Sequence, residues 1–438
     1  RWKRGVPRSR KARGKRGTDR TQYIGKPGVD TRHLARENTN SFLCRELRLA
    51  RKEAESTPVA LRKLGSRQIM TRLMKAARMH HVGEPMVIED IPVPEVRPTD
   101  VLVKVKSCNI VPNLGNVLAN WTTWFPNLPL PKLPAIFGLD ASGVIEQVGS
   151  QVHAWKPGDR IYVNPARYCG GCRACRSGNT TSCPYYTFNG YFGFSERSQT
   201  MFDDYPYGGL CEYMTAPQYS LVKLPDNLGF EAASRFGYIG TGYRALRRAN
   251  VGPGTTMLIN GISGTLGLGT AIFALGLGAR KVLGTGRNLE LLKRVQAISP
   301  ERIEIHQLGD LPTDAWAKEL TDGLGVDVVI DALGPGAPQS TMLEALAALR
   351  RGGVQVNVGA VAGDVPIDLH YLMDNDIQLQ GSVWFTAGQG QEMADLVEAG
   401  AVDMSVFEHR RYPLSKINTA LAGIENRDGG FSNYCICP

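Results

Sequence analysis

Four cysteines in one short run constrain this chain more than any other feature: Cys169-x2-Cys172-x2-Cys175-x7-Cys183. Thiolates that close together suit a tetrahedral divalent ion, and Zn2+ held by four sulfurs is the usual closed, structural site. Gly170, Gly171, Gly178 and Asn179 lie among them and permit the tight reversals that aim four sulfurs at one point. A four-cysteine iron–sulfur cluster is the rival reading. A thioredoxin-like redox centre fits less well, because it needs one C-x-x-C and not a ladder of them. Four unrelated surface thiols are the bland alternative. A closed zinc site does no chemistry, so the motif points to a scaffold and not to the place of reaction.

The 438 residues exceed one ordinary core and predict two domains plus extras. No apolar run approaches eighteen residues, so no transmembrane helix is expected. Cys44, Cys108, Cys211, Cys435 and Cys437 are scattered, as in a reducing compartment, here the cytoplasm. The net charge of +10 is unevenly spread: residues 1–73 hold 21 Lys/Arg against 6 Asp/Glu, and the remainder 30 against 35. The basic character therefore belongs to an arm. Its opening, RWKRGVPRSRKARGKRG, has almost no apolar periodicity and reads as disordered; residues 42–54 have the pattern of a short amphipathic helix. Such an arm can bind nucleic acid or a membrane surface, or serve as a targeting peptide. The third reading, a mis-assigned start with the folded protein opening at Met70 or Met74, is favoured, because MKAARMHHVGEPMVIEDIPVPE reads as the first strands of an independent domain. Neither nucleic acid nor membrane is thus an expected partner.

From Met74 to about residue 230 the signals are β-type. VLVKVKSCNIV (101–111) alternates, SGVIEQVGSQV (142–152) follows, and Pro157-Gly158-Asp159 turns into RIYV. Many short, Gly/Pro-punctuated strands predict a partly open barrel or small sandwich. The Pro-, Trp- and Leu-rich stretch 113–134 reads as an irregular loop lining a pocket. From about Glu231 to Trp384, strand-like and helical runs alternate: MLING then GLGTAIFALGLGA, KVLGTG then NLELLKRVQAI, VDVVIDAL then STMLEALAALR, and VQVNVGA. That alternation is the signature of a doubly wound parallel sheet, an α/β domain. Residues 385–438 return to helix and short strands and are expected to rejoin the first domain.

Gly261-Ile-Ser263-Gly264-Thr265-Leu266-Gly267 lies directly between a predicted strand and a predicted helix. Its glycines permit a tight turn and close backbone approach to a pyrophosphate, and the helix N-terminus adds unpaired N–H groups. An NAD site usually carries an acid at the end of the second strand, about twenty residues on. Here Gly286 stands in that place and Arg287 follows. A guanidinium pairs well with a 2′-phosphate, so the expected cofactor is NADP(H).

With these features in place, the chain resembles the medium-chain dehydrogenase/reductase superfamily, the zinc alcohol dehydrogenases and quinone oxidoreductases. The resemblance covers residues 74–438 in order. It rests on IEDIPVPE (88–95), GLDASGVIEQVG (138–149), KPGDRI (156–161), the four-cysteine lobe (169–183), GTGYRAL (240–246) and NGISGTLG (260–267). It implies a GroES-like β-barrel catalytic domain (74–230, completed by 385–438) and a Rossmann domain (231–384), with the active site between them. It implies a structural zinc on Cys169, Cys172, Cys175 and Cys183. Zinc-dependent members also hold a catalytic zinc, by a cysteine after the VKV strand, a His-Glu pair and a further ligand before the first nucleotide-binding strand. Those positions correspond here to Val111, Leu139-Asp140 and Gly237. Val, Leu and Gly ligate no metal; Cys108 lies three residues early, and histidines 33, 80, 81, 153, 306, 370 and 409 avoid every ligand position. The resemblance therefore implies that the catalytic zinc is absent while the structural one is kept. Gly359, Ala360, Val361 and Gly363, with Trp384 and Asn433, fall where relatives approach the cofactor.

Without zinc to stabilise an alkoxide, hydride addition to a conjugated C=C or a quinone is the easier task, because hydrogen-bond donors can stabilise the enolate. The leading expectation is thus an NADPH-dependent reductase of an activated double bond or quinone, acting on an apolar or aromatic small molecule. The alternative is an alcohol/aldehyde dehydrogenase of the same family; a third reading is a non-catalytic, nucleic-acid-binding or structural protein on this scaffold. Catalytic candidates are Asn113, at the place of a proton-relay hydroxyl, Asp140 and Tyr238. Tyr243, Trp121 and Trp124 are weaker candidates that packing explains equally well. Family habit implies a homodimer or homotetramer, joined through the strand near 378–385.

Overall fold

The computed structural model describes residues 72–438 apart from 113, 335, 360 and 362. The basic arm, the helix expected over 42–54, Asn113 and Ala360 lie outside the described residues.

Ten strands precede the nucleotide-binding region: β1 Leu73–Met79, β2 Val87–Pro92, β3 Asp100–Asn109, β4 Ala135–Ile136, β5 Asp140–Val148, β6 Arg160–Val163, β7 Ala166–Arg167, β8 Thr187–Phe188, β9 Tyr213–Pro217 and β10 Leu221–Lys223. Six parallel strands follow: β11 Thr256–Asn260, β12 Lys281–Gly286, β13 Ile303–Gln307, β14 Val326–Asp331, β15 Leu349–Asn357 and β16 Gln378–Gly381. Two more, β17 Glu408–Pro413 and β18 Ser432–Cys437, complete the set. The first domain is a mainly antiparallel sheet in the order β10-β6-β5-β3-β18-β17, with β9 on β3 and the smaller β2-β1-β4 sheet beside it. β18 pairs with β3, so the tail joins the first domain's sheet. The fold is α/β: a GroES-like catalytic domain and a Rossmann cofactor sheet.

The cofactor sheet runs β13-β12-β11-β14-β15-β16, the 3-2-1-4-5-6 order of a doubly wound fold, whose crevice opens between the first and fourth strands. Its central strands β11, β12 and β14 are buried on both faces, and the edge strands β13 and β16 are only partly covered. Met257 and Ile259 of β11 join one apolar core and Leu258 the other, the period-2 alternation of a strand covered on each side. Asn288 caps the helix Leu289–Gln296 by accepting from the N–H groups of Glu290 and Leu291 at 3.0 and 3.1 Å.

The stretch 113–134 is more ordered than its composition predicts. It forms the short helices Leu114–Ala119 and Trp121–Trp124. Trp121 decides this locally: it is buried, its indole N–H donates to the Leu128 carbonyl at 2.6 Å, and its ring packs on Phe125, Tyr191 and Phe192. Trp121 thus holds the loop together; the Trp124 side chain lies outside the description.

Candidate active site and zinc centre

The four sulfurs predicted to meet do meet. Sγ atoms of Cys169, Cys172, Cys175 and Cys183 all lie within 4.8 Å of one another. Neighbouring pairs stand at 3.5 Å (Cys172–Cys175) and 3.6 Å (Cys183–Cys169), close to the roughly 3.8 Å edge of a tetrahedron with Zn–S of about 2.3 Å. Backbone N–H groups point at the sulfurs: Cys175 to Cys172 and Cys169 to Cys183, both at 3.5 Å, and Tyr185 to Cys183 at 3.4 Å. Such donors favour thiolates, and the Cys172 thiol is pushed down to about 7, first by the Cys175 N–H. The donor set fits zinc. Among the described residues it is the one group of three or more His, Cys, Asp or Glu side chains within ligating reach of each other.

The candidate positions around Asp140 lie where β3, β5 and β18 run side by side, with Gly237 and Tyr238 on the helix Phe236–Arg248. Asn109 of β3 is registered with Asp140 of β5 and with Cys435 of β18. Val111 and Leu139 are buried and line one small, mostly apolar cavity with Asn109, Ile110, Leu114 and Tyr191. Asp140 is fully buried. A Cβ built on Gly237 would overlap its carboxyl group, so the acid fills the volume a side chain at 237 would take. Tyr162 donates to Asp140 Oδ1 at 2.8 Å; Oδ2 has no partner among the described residues, nor have Asn109 Oδ1 and Asn433 Oδ1. Burial raises the Asp140 carboxyl from 3.8 to about 7, against the lowering by Tyr162. Tyr238 is half-buried, and desolvation pushes its hydroxyl up. Tyr243 serves packing: its hydroxyl donates to Glu392 Oε2 at 2.7 Å. Cys108 is buried where Cβ atoms on Gly138 or Gly209 would meet its sulfur. Sequence reasoning does not single out Tyr162 or Asn109; only the β3–β5–β6 register brings them beside Asp140.

The glycine turn has the shape a dinucleotide needs. Gly261 has φ +88°, and a Cβ on Gly267 would overlap the Gly261 carbonyl. The helix Thr265–Gly276 starts at Gly264 without a side-chain cap, which leaves its first N–H groups free for an anion. Thr265 Oγ1 is buried with no partner among the described residues. Gly430 donates from its N–H to the Ser263 carbonyl at 2.8 Å, tying the loop before β18 to the turn. A Cβ on Gly286 would stand 3.0 Å from Ser263 Oγ. Arg287 is exposed beside it, and its backbone carbonyl accepts from Gln307 Nε2 at 3.1 Å. Gly359 donates to the Asp331 carbonyl at 3.0 Å, and a Cβ there would overlap Leu333. Val361 is half-buried in the same segment, and Gly363 has φ +83°. Leu266 is half-buried in the first helical turn. Trp384 is buried, its indole N–H donating to Asn164 Oδ1 at 3.1 Å and its ring on Phe188 and Phe385. Asn433 is buried and donates to the Ile110 carbonyl at 3.1 Å.

Residues 97–226 match the family model of the alcohol dehydrogenase GroES-like domain, and residues 265–399 that of the zinc-binding dehydrogenase. The chain is 32% identical to an alcohol dehydrogenase of Geobacillus stearothermophilus over 355 residues, 79% of this chain and 94% of that protein. It is 30% identical to a sorbitol dehydrogenase of Bacillus subtilis (strain 168) over 365 residues, 83% and 96% of the two chains. Among solved structures, that of AibC superposes with a TM-score of 0.72 at 25% identity, covering 84% of this chain and 97% of the other. The chain belongs to the medium-chain, zinc-binding dehydrogenase superfamily. It is an oxidoreductase of that family, carrying the four-cysteine structural zinc site. No helix among the described residues is long and apolar enough to cross a membrane.

Proposed function

We propose that this protein is a nicotinamide-dependent dehydrogenase that moves hydride between its cofactor and the alcohol/carbonyl pair of a small molecule. The observation that carries this reading is its similarity to an alcohol dehydrogenase and a sorbitol dehydrogenase over 94% and 96% of their lengths. That similarity favours alcohol/carbonyl chemistry over the enone or quinone reduction that the sequence ranks first. The cofactor is NADP(H): Gly286 leaves no carboxylate to repel a 2′-phosphate, and Arg287 is exposed next to it. When bound, the nicotinamide supplies the hydride. The chain's own groups cradle the pyrophosphate at residues 261–267 and exclude water with Val111, Leu139 and Tyr191. A hydrogen bond then meets the developing oxyanion, with Asp140 and Tyr238 as the titratable groups on hand. Val111, Leu139 and Gly237 offer no metal-ligating atom, so these positions do not fit a catalytic zinc.

That same absence of ligands supports a second reading, reduction of a conjugated C=C or quinone. One experiment separates the two. Zinc per chain is measured by elemental analysis, and the same protein is assayed with alcohols and polyols plus NADP+ and with enones and quinones plus NADPH. About one zinc with alcohol turnover is the expected result. Turnover confined to enones or quinones overturns the first reading in favour of the second. About two zincs overturn the metal-free site.

A further inference from the structure

A buried polar chain lies under the cofactor turn. It starts at the Gly261 N–H, which is shared between the Thr285 carbonyl at 3.1 Å and the Thr285 hydroxyl at 3.3 Å. Thr285 Oγ1 donates to Asn260 Oδ1 at 2.7 Å. Asn260 Nδ2 donates to Asp331 Oδ1 at 2.9 Å and to the Thr341 carbonyl at 3.2 Å. Asn260 and Thr285 are fully buried, and Asp331 is 1% exposed. Asn260 is the last residue of β11, registered with Thr285 of β12 on one side and Asp331 of β14 on the other. The Asp331 carbonyl then accepts from the N–H groups of Val358 and Gly359, both at 3.0 Å.

The placement matters because β11 and β14 are the first and fourth strands of the 3-2-1-4-5-6 order. Their junction is the topological switch point over which a dinucleotide lies, with one half on each side. The Asn260–Asp331 bond bridges that junction. Asn260 is also fixed in orientation: its nitrogen faces two acceptors, so turning the amide sets its oxygen against both and breaks those two bonds. Leucine would fill the same volume with no side-chain amide to satisfy, and would take from the buried Thr285 hydroxyl and Asp331 Oδ1 the partner that Asn260 gives them.

We propose that Asn260 is a positioning residue for the cofactor. Through Thr285 and Asp331 it locks the 261–267 turn and the Val358–Gly359 segment into one register, so that a dinucleotide spanning both finds them preset. The inference rests on the dinucleotide reading of the turn and deepens it. A ligand that occupies one side only gains little from the lock. A ligand that spans both loses affinity when the two sides move independently, because binding must then order them.

The test is made on the full chain with Asn260→Leu, Thr285→Val and Thr285→Ser. Dissociation constants are measured for NADPH and for 2′-phospho-ADP-ribose, which lacks the nicotinamide. Asn260→Leu and Thr285→Val weaken NADPH about tenfold, as for one buried hydrogen bond, and the fragment less than about threefold. Thr285→Ser, which keeps the hydroxyl, retains the wild-type ratio. Thr285→Val alone carries the test where Asn260→Leu does not fold. Equal loss for both ligands, or loss for neither, overturns the positioning role. Failure of the wild-type protein to bind either ligand overturns the dinucleotide reading itself, and the role of Asn260 with it.

Discussion

Replacing Asp140 by asparagine should stabilise this protein at alkaline pH and do little in acid. Asp140 is fully buried, and its carboxyl is raised from 3.8 to about 7 by that burial. A buried acid with a raised value is more stable protonated when folded. Its contribution is therefore fully present below about pH 4 and is lost as pH rises through about 7. A shift of about three units at 1.36 kcal/mol each sets the loss near 4 kcal/mol by pH 8.5. Asparagine keeps the shape and keeps an oxygen for the Tyr162 hydroxyl, which sits 2.8 Å from Oδ1, but carries no charge at any pH. Its new N–H groups have a nearby acceptor to find in Asn109 Oδ1, unpaired on the registered residue of β3.

The assay is thermal unfolding of wild type and Asp140→Asn between pH 5 and 8.5. Unfolding entropy runs at roughly 2.1 cal/mol/K per residue. Over the compact unit of residues 70–438 that is near 0.8 kcal/mol/K, so about 4 kcal/mol moves the midpoint by about 5 °C. The variant should melt about 2 °C above wild type at pH 5, where about 1.2 of the three units of loss have already accrued, and about 5 °C above it at pH 8.5. Midpoints that move in parallel across that range refute the reasoning, since they mean that the Asp140 carboxylate is solvated or neutralised by a partner. A protonated Asp140 that also donates to the developing oxyanion predicts a turnover loss of about 10²-fold in the same variant, with cofactor affinity unchanged.

Arg287→Ala should weaken NADPH by about 10- to 100-fold, the range for lost charge-assisted hydrogen bonds. NADH should change little; fluorescence titration of both cofactors reads the difference, and equal changes would remove Arg287 from the 2′-phosphate. Cys175→Ser should take zinc from about one per chain to near none, read by elemental analysis, and lower the melting temperature. Gly267→Ala places a Cβ against the Gly261 carbonyl and Ile262, so the turn must open. Cofactor affinity should fall at least tenfold, and calorimetric binding at wild-type strength would contradict the tight-turn account.

The parts legible in sequence are those where chemistry depends on local spacing. The four-cysteine lobe and the 261–267 turn each lie within fifteen or fewer consecutive residues, so a motif carries nearly all of their geometry. The stretch 113–134 misled because its Pro and Trp content masks two short helices that Trp121 pins from the side, through Leu128, Tyr191 and Phe192. The catalytic centre is harder for a different reason. Asp140 gains its character from Tyr162, twenty-two residues away, and from the missing side chain at Gly237, ninety-seven away. No spacing rule announces a buried acid whose hydrogen-bond donor sits on the next strand, across a turn.

On the proposed reading without a catalytic zinc, the same residues show how the metal-ligand volume would be filled. Zinc ligation needs several donors at once, and the loss of one leaves the others buried and poorly satisfied. Here Val111 and Leu139 are apolar, and the acid at 140 occupies the space beside Gly237. These substitutions are mutually consistent, whereas each alone would leave a cavity or a stranded ligand. Three of the unpartnered buried atoms, Asp140 Oδ2, Asn109 Oδ1 and Asn433 Oδ1, are oxygens. A protonated Asp140 turns one of them into a donor, which is the change of character that a site without Lewis acid requires to meet an oxyanion. If Asp140 serves as that donor, its burial, destabilising at alkaline pH, gains a chemical use, and the pH dependence of Asp140→Asn stability and turnover tests both from one residue.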